Sequence, residues 1–150
     1  MNSAHLNNHE LKAQATRLGF VACGLAPAEP VQEWYAQQFR MWLQLGFQAD
    51  MEYMQNHVDM RLQPSLLHPG VKSIISLALN YMPHYQQPGI SLYAQGKDYH
   101  DVMRDRLRKL MTEAGLQGRC FVDTAPVLER YWAWRCGIGE FCKNGLISVP

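Results

Sequence analysis

The sequence predicts an α/β domain, and three observations carry that expectation. Apolar residues recur at helical spacing in several stretches, nearly uninterrupted apolar runs of strand length stand between them, and Pro and Gly fall singly at the joints. With 150 residues, 47% of them hydrophobic and 18% charged, the chain has the apolar content of one folded core. No repeat, low-complexity tract or linker divides it, so a single domain over 1–150 is expected. Pattern alone sets neither strand order nor strand direction.

In chain order, Leu6, Leu11, Ala15 and Leu18 make a helical stripe over residues 6–18, ended by Gly19, and residues 20–25 read as a short buried strand. Over residues 31–45 the spacing of Val31, Trp34, Tyr35, Phe39, Trp42, Leu43 and Leu45 predicts a core-facing helix stopped at Gly46, with a short helix following at 51–56. Residues 72–80, between Pro69-Gly70 and Pro83, are apolar almost throughout, as a central strand covered on both faces would be. Between Asp98 and Gly115 the stripe Tyr99, Val102, Met103, Leu107, Leu110, Met111 and Ala114 opposes Asp101, Arg104, Asp105, Arg108 and Lys109, which predicts an amphipathic helix. The remainder reads as a strand at 119–123, a helix at 124–135 with Pro126 in its first turn, and a strand at 141–149. Trp132 and Trp134, two residues apart, cannot both face inward on that helix.

Charge and motif content exclude several functions. With 14 Lys+Arg against 13 Asp+Glu the formal charge is +1, so bulk electrostatics cannot hold nucleic acid and any RNA contact must be local. Residues 1–10 carry no basic end ahead of an apolar stretch, and no apolar run reaches the roughly 18 residues of a membrane span. A cytoplasmic chain without a membrane partner is expected. The four cysteines, Cys23, Cys120, Cys136 and Cys142, lack the crowding of a disulfide scaffold and are expected to be reduced. Their closest spacing, Cys136-x5-Cys142, is not the C-x2-C-x2-C-x3-C-P run of a ferredoxin cluster. His5 and His9 are four apart but have no third ligand after them, and His9-Glu10 does not open H-E-x-x-H, so no metal site is expected. Phosphate-binding glycine loops and the G-x-S-x-G elbow are absent.

Candidate functional residues follow from position. Asp123 stands at a predicted strand end just before Thr124-Ala125-Pro126, where an α/β sheet lines its ligand crevice, and is a candidate acid. The alternative is that Asp123 or Thr124 only caps the following helix. Glu129 and Arg130 form either a surface ion pair or part of the crevice mouth. Arg61, with Pro64 and Lys72 beyond it, offers cations ahead of the central strand or belongs to a solvated helix face. GKDYH at 96–100 gathers a turn glycine, cation, acid, phenol and imidazole at a helix start, the edge of a polar ligand site unless Asp98 is only a cap.

The string FVDTAPVLER at 121–130 resembles the signature of the epoxyqueuosine reductases, cobalamin-dependent enzymes of the last step of queuosine synthesis in tRNA. The resemblance continues in family order through LGF at 18–20, MEYM at 51–54, Arg61-x2-Pro64, Leu67-x-Pro69-Gly70-x-Lys72 with Ser73, Ile74 and Ile75, and ALNY at 78–81. It further takes in Ile90, Ser91, Tyr93, Ala94, Gly96 and DYH at 98–100, and Gly137, Gly139, Lys143 and Asn144, so that nearly the whole chain is covered. One stretch departs: Glu140 and Cys142 stand where family members usually have an aromatic and a glycine, which changes the face expected to meet the corrin.

The resemblance implies a nitroreductase-like three-layer domain that holds cobalamin, incomplete here at its carboxyl end. In the family a ferredoxin domain with 4Fe–4S clusters follows, and this chain lacks the ligands for them. Asp123 matches the family's proton donor, and Arg61, Asp98, Tyr99, His100 and Arg130 fall in motifs that lie near cofactor or substrate. The implied partners are the tRNA anticodon loop and an external electron donor. Removing an epoxide oxygen needs two electrons at carbon and protons at oxygen, so a carboxylic acid suits the chemistry if shielding keeps it protonated, as beside a large apolar macrocycle. A rival reading is a non-catalytic relative that binds corrinoid or a partner protein, and a flavin-binding nitroreductase-like domain is an analogy of fold alone. An unfinished sheet also leaves an open edge, from which self-association is expected.

Overall fold

The computed structural model describes residues 7–80 and 87–150; His5, Leu6, Tyr81 and Pro83 lie outside the described residues. Helix α1 (Asn8–Arg17) starts where two side chains cap each other's backbone: the Glu10 amide donates to Asn7 Oδ1 at 2.9 Å and the Asn7 amide to Glu10 Oε2 at 3.0 Å. Gly19, at φ +85, then turns the chain into β1 (Phe20–Pro27). Helix α2 (Glu33–Gln44), a 3₁₀ turn (Glu52–Gln55) and the short helices α3 (Val58–Leu62) and α4 (Pro64–Leu67) lead to β2 (Ser73–Leu79), antiparallel to β1. A second 3₁₀ turn (Leu92–Ala94), α5 (Tyr99–Glu113), α6 (Glu129–Arg135) and the hairpin of β3 (Glu140–Phe141) and β4 (Ile147–Ser148) follow.

The β1–β2 ribbon is the middle of the molecule because its two faces differ in size. On one face the register pairs Ala22 with Ala78, Gly24 with Ser76 and Ala26 with Ile74; on the other it pairs Cys23 with Leu77 and Leu25 with Ile75. The small face packs on α2 and α6 through Phe39, Tyr131, Trp132, Cys136 and Ile138. The larger face packs on α1 and α5 through Leu11, Ala15 and Leu110, and an irregularity between Phe20 and Ala22 turns Phe20 to that side as well. Contact is closest at Gly24, where a Cβ would collide with the Cys136 carbonyl oxygen and lie 2.7 Å from Ile138 Cγ2. Glycine is needed there for space, since a side chain would hold the end of α6 off the sheet.

The mixed helix and strand character holds, and four expected elements change. Strand β2 has one strand neighbour among the described residues, and its residues past Ser73 are half-buried rather than covered on both faces. Residues 119–123 form no strand: a cavity of about 810 Å³ lined by β2 and by residues 119–122 stands where a ladder would have to be. Helix α6 begins at Glu129 instead of 124, because Asp123 sits at φ +55 and the Val127 amide donates to the Ala125 carbonyl at 2.7 Å, a turn tighter than a helix. Pro126 therefore precedes the helix. Residues 141–149 fold back on themselves, since the Gly145 amide donates to the Cys142 carbonyl at 2.9 Å and Gly145, at φ +76, supplies the left-handed residue of a short hairpin loop. Along α2 only Ala36 and Phe39 are buried while Trp34 and Leu45 are exposed, so the inward face is narrower than the stripe. Trp132 is buried and Trp134 half-buried, as their spacing requires.

Substituting Gly24→Ala is expected to destabilise the chain by about 1–3 kcal/mol through overpacking against Cys136 and Ile138, read from chemical unfolding. An unchanged midpoint would contradict the close approach.

Candidate functional site

Polar groups gather where the start of α5 meets the turn ahead of α6. Asp98 caps α5, its Oδ1 accepting the His100 amide at 2.9 Å, and the same oxygen lies 2.8 Å from His100 Nδ1. The cap therefore also orients the imidazole, and its bonds to His100 hold the Asp98 carboxyl below the ordinary range although it is exposed. The Tyr99 ring stacks on that of His100 with centroids 4.0 Å apart. Its hydroxyl donates to Asp123 Oδ2 at 2.6 Å, and His100 Nε2 lies 3.7 Å from the same oxygen. Bonding to the carboxylate favours the protonated phenol and pushes the Tyr99 pKa up to about 12.

Asp123 takes part through its backbone as well. Held at φ +55, it donates its amide to Glu129 Oε1 at 2.8 Å. Capping does not explain it, because α6 starts six residues later and its N-cap, Leu128, makes no side-chain bond. Nor does the chain's own packing supply the shelter expected of an acid here: the Asp123 side chain is 52% exposed. The sheltered acid is Glu129, whose carboxyl is pushed up by burial, against the lowering effect of the Asp123 amide. Glu129 and Arg130 do not pair with each other, since Arg130 Nη1 donates instead to the Gly145 carbonyl of the hairpin loop at 3.0 Å.

The remaining expected residues line the 810 Å³ cavity between β2 and the segment ahead of Asp123, whose walls include Arg61, Ile75, Leu107, Val122, Glu129 and Arg130. Arg61 is not on a solvated helix face. It is 8% exposed, donating from Nε to the Asn56 carbonyl at 3.2 Å and from Nη2 to the Tyr53 carbonyl at 3.1 Å, and among the described residues no carboxylate pairs with it. Burial lowers its pKa from the ordinary value. The structure thus divides the sequence-predicted residues into a surface cluster of exposed Asp98 and Asp123 with half-buried Tyr99 and His100, and the cavity residues Arg61 and Arg130. Glu129 belongs to both, a link that residue type did not announce; the signal was a carboxylate six residues past Asp123 with Pro126 forcing a turn between them. Glu140 and Cys142 are exposed on the hairpin and do not line the cavity. All four cysteines are free thiols, and among the described residues no three His, Cys, Asp or Glu side chains converge as a metal site would require.

Residues 61–124 match the family model described as epoxyqueuosine reductase QueG, DUF1730. The chain is similar to the epoxyqueuosine reductase of Cellulophaga algicola, with 43% identity over 153 aligned residues that take in 96% of this chain and 50% of the relative. It is also similar to an epoxyqueuosine reductase crystallised with an epoxyqueuosine-modified stem loop of tyrosine tRNA, at TM-score 0.81 and 28% identity over 95% of this chain and 41% of that one. A Bacillus subtilis epoxyqueuosine reductase, solved with its catalytic aspartate loop swung out of the active site, superposes at TM-score 0.78 with 28% identity and the same coverage of 95% and 41%. The chain spans about half the length of the curated relatives it matches, 50% and 47% of two of them.

The Tyr99–Asp123 bond has a titration signature. The folded phenol value, about 12, stands above the ordinary 10, so its contribution to stability is complete below pH 10 and is lost as pH rises toward 12. Absorbance titration of the parent against Tyr99→Phe isolates this phenol, and Asp123→Asn is expected to return it toward 10. A value unmoved by Asp123→Asn would contradict the bond.

Proposed function

Because the chain belongs to the epoxyqueuosine reductase family, we propose that it is the amino-terminal, nitroreductase-like, cobalamin-binding domain of such an enzyme and acts in the reduction of epoxyqueuosine to queuosine in tRNA. The single observation that carries this reading is the turn that brings Asp123 against Tyr99 and His100. The residue matching the family's proton donor stands at the surface with its direction fixed by a hydrogen bond at 2.6 Å. An exposed carboxyl suits a substrate that arrives as a base held outside the stack of an RNA loop.

In this reading each residue has a distinct task. Breaking the epoxide C–O bond develops charge on oxygen, and a proton delivered there by Asp123 turns a poor leaving group into a hydroxyl. Tyr99 engages Oδ2, which leaves Oδ1 for the transferred proton. His100, with Nδ1 fixed by Asp98 and Nε2 3.7 Å from Oδ2, adds a polar group on the Tyr99 side of the carboxyl.

The cavity fits a corrinoid in its chemistry: apolar Ile75, Leu107 and Val122 suit a large macrocycle, and the buried guanidinium of Arg61 suits an attached phosphate. Arg61 and Arg130 would hold the cofactor, and bound cobalamin supplies the electrons for the epoxide carbon. Among the described residues no three metal-type ligands converge, so in this reading the electrons reach the site from outside these residues. The anticodon loop is the partner, met by the local exposed cations Lys72 and Arg119 at the cavity. A cytoplasmic location goes with this substrate, and among the described residues no helix is long and apolar enough to cross a membrane. The second edge of β2, without a strand neighbour among the described residues, supports self-association, which light scattering would detect and a monodisperse monomer would contradict. One other reading, a corrinoid-binding relative without turnover of its own, goes with Glu140 and Cys142 standing where the family usually has an aromatic and a glycine.

Titrating the chain with cobalamin is expected to change the cofactor's absorbance, and no change would remove both readings. With a chemical reductant and epoxyqueuosine-containing tRNA, turnover is expected to fall about 100- to 10,000-fold in Asp123→Asn. An inert parent that binds cobalamin would support the binding relative instead.

A further inference from the structure

Asp123 is held at φ +55, a left-handed conformation that few non-glycine residues adopt, and side chains from two helices hold it there. Its carboxyl is taken by Tyr99 from α5, and its amide is taken by a side chain from α6. That side chain, Glu129, is the first residue of its helix and does not cap it; the carboxylate reaches back six residues and accepts the Asp123 N–H at 2.8 Å. It neither pairs with its neighbour Arg130 nor faces open water, but is half-buried in the wall of the cavity. Burying a carboxylate is costly unless its bonds matter to the fold or the site, and the bond it makes is to the one residue whose direction the proposed chemistry needs.

We infer that Glu129 is a positioning residue: by clamping the Asp123 amide it fixes the direction in which Asp123 presents its carboxyl beside Tyr99. The inference rests on the reading of Asp123 as proton donor. Tyr99 alone cannot set that direction, because a single hydrogen bond to a carboxylate oxygen leaves the backbone of the turn free to rotate. With the amide clamped as well, the turn is tied at two points to two different helices. The cavity wall and the surface cluster then share one side chain, so that what fills the cavity bears on the acid outside it.

The test compares Glu129→Leu, which keeps volume without an acceptor, with Glu129→Gln, which keeps an acceptor oxygen. Amide hydrogen exchange at Asp123, resolved by NMR, needs no activity: it is expected to speed up about tenfold in Glu129→Leu and to stay within about twofold of the parent in Glu129→Gln. In reduction of epoxyqueuosine-containing tRNA with cobalamin and a chemical reductant, Glu129→Leu is expected to lose about 100-fold in kcat at unchanged KM, with Glu129→Gln restoring most of it. Unchanged exchange in Glu129→Leu overturns the clamp, and faster exchange with unchanged kcat overturns the positioning role. Should Glu129→Leu not fold, Glu129→Ala takes its place with the same expected readings. A parent without turnover counts against the catalytic reading alone, and the exchange measurement then decides the clamp.

Discussion

A carbonyl oxygen resting on a glycine decides where the polar groups of this molecule stand. Because Gly24 has no Cβ, the Cys136 end of α6 lies directly on the small face of the β1–β2 ribbon. Further contacts fix the helix there: the Tyr131 hydroxyl accepts the Gln32 amide at 3.0 Å, Trp132 is buried, and the Cys136 thiol points at the Ile74 carbonyl at 3.5 Å. A seven-residue helix has little stability of its own, so this packing is what holds it. The opposite face of the ribbon places α5 by the same logic, through Leu110 and the side chains of Leu77 and Ile75. The two helices, and hence Tyr99 at the start of one and Glu129 at the start of the other, are positioned by one pair of strands.

What stands between them is a turn rather than an element of secondary structure. Asp123 gives its carboxyl to one helix and its amide to the other, which is how an exposed loop residue keeps a defined direction. Electrostatics follow from that arrangement. Tyr99 is driven toward the protonated form by its hydrogen bond to Asp123, Asp98 toward the ionised form by its bonds to His100, and Glu129 toward the neutral form by burial. Arg61, deep in the cavity wall with carbonyls as partners, is the complement of these acids and suits an anion that the described residues do not provide.

The sequence was most legible where a pattern had a single physical meaning. Apolar runs located β1 and β2, and the stripe from Tyr99 to Ala114 located α5 to within a residue. It was least legible around Asp123, where local propensity and tertiary contacts disagree. RCFVD at 119–123 has the composition of a strand but its first four residues border a cavity instead of a neighbouring strand, and TAPVL at 124–128 has a helix opening yet is held out of helical geometry by the left-handed Asp123. The hairpin was legible in Asn144-Gly145, a turn signal between Phe141 and Ile147 that a single strand over 141–149 overlooks. Identities of site residues were legible through the string at 121–130, whereas the division into cluster and cavity, and Glu129 as their link, depend on distances that no pattern encodes.

Membership of the epoxyqueuosine reductase family and an aspartate aimed by two helices converge on one idea, that Asp123 meets the epoxide oxygen. The chain spans about half the length of its curated relatives, so the rest of such an enzyme would bear on electron supply more than on this contact. Determining the structure of the chain with cobalamin and an epoxyqueuosine-modified tRNA stem loop measures it directly. An Asp123 carboxyl oxygen at about 3 Å from the epoxide oxygen is the expected result. A substrate seated with another acid against that oxygen, and Asp123 out of reach, would contradict it.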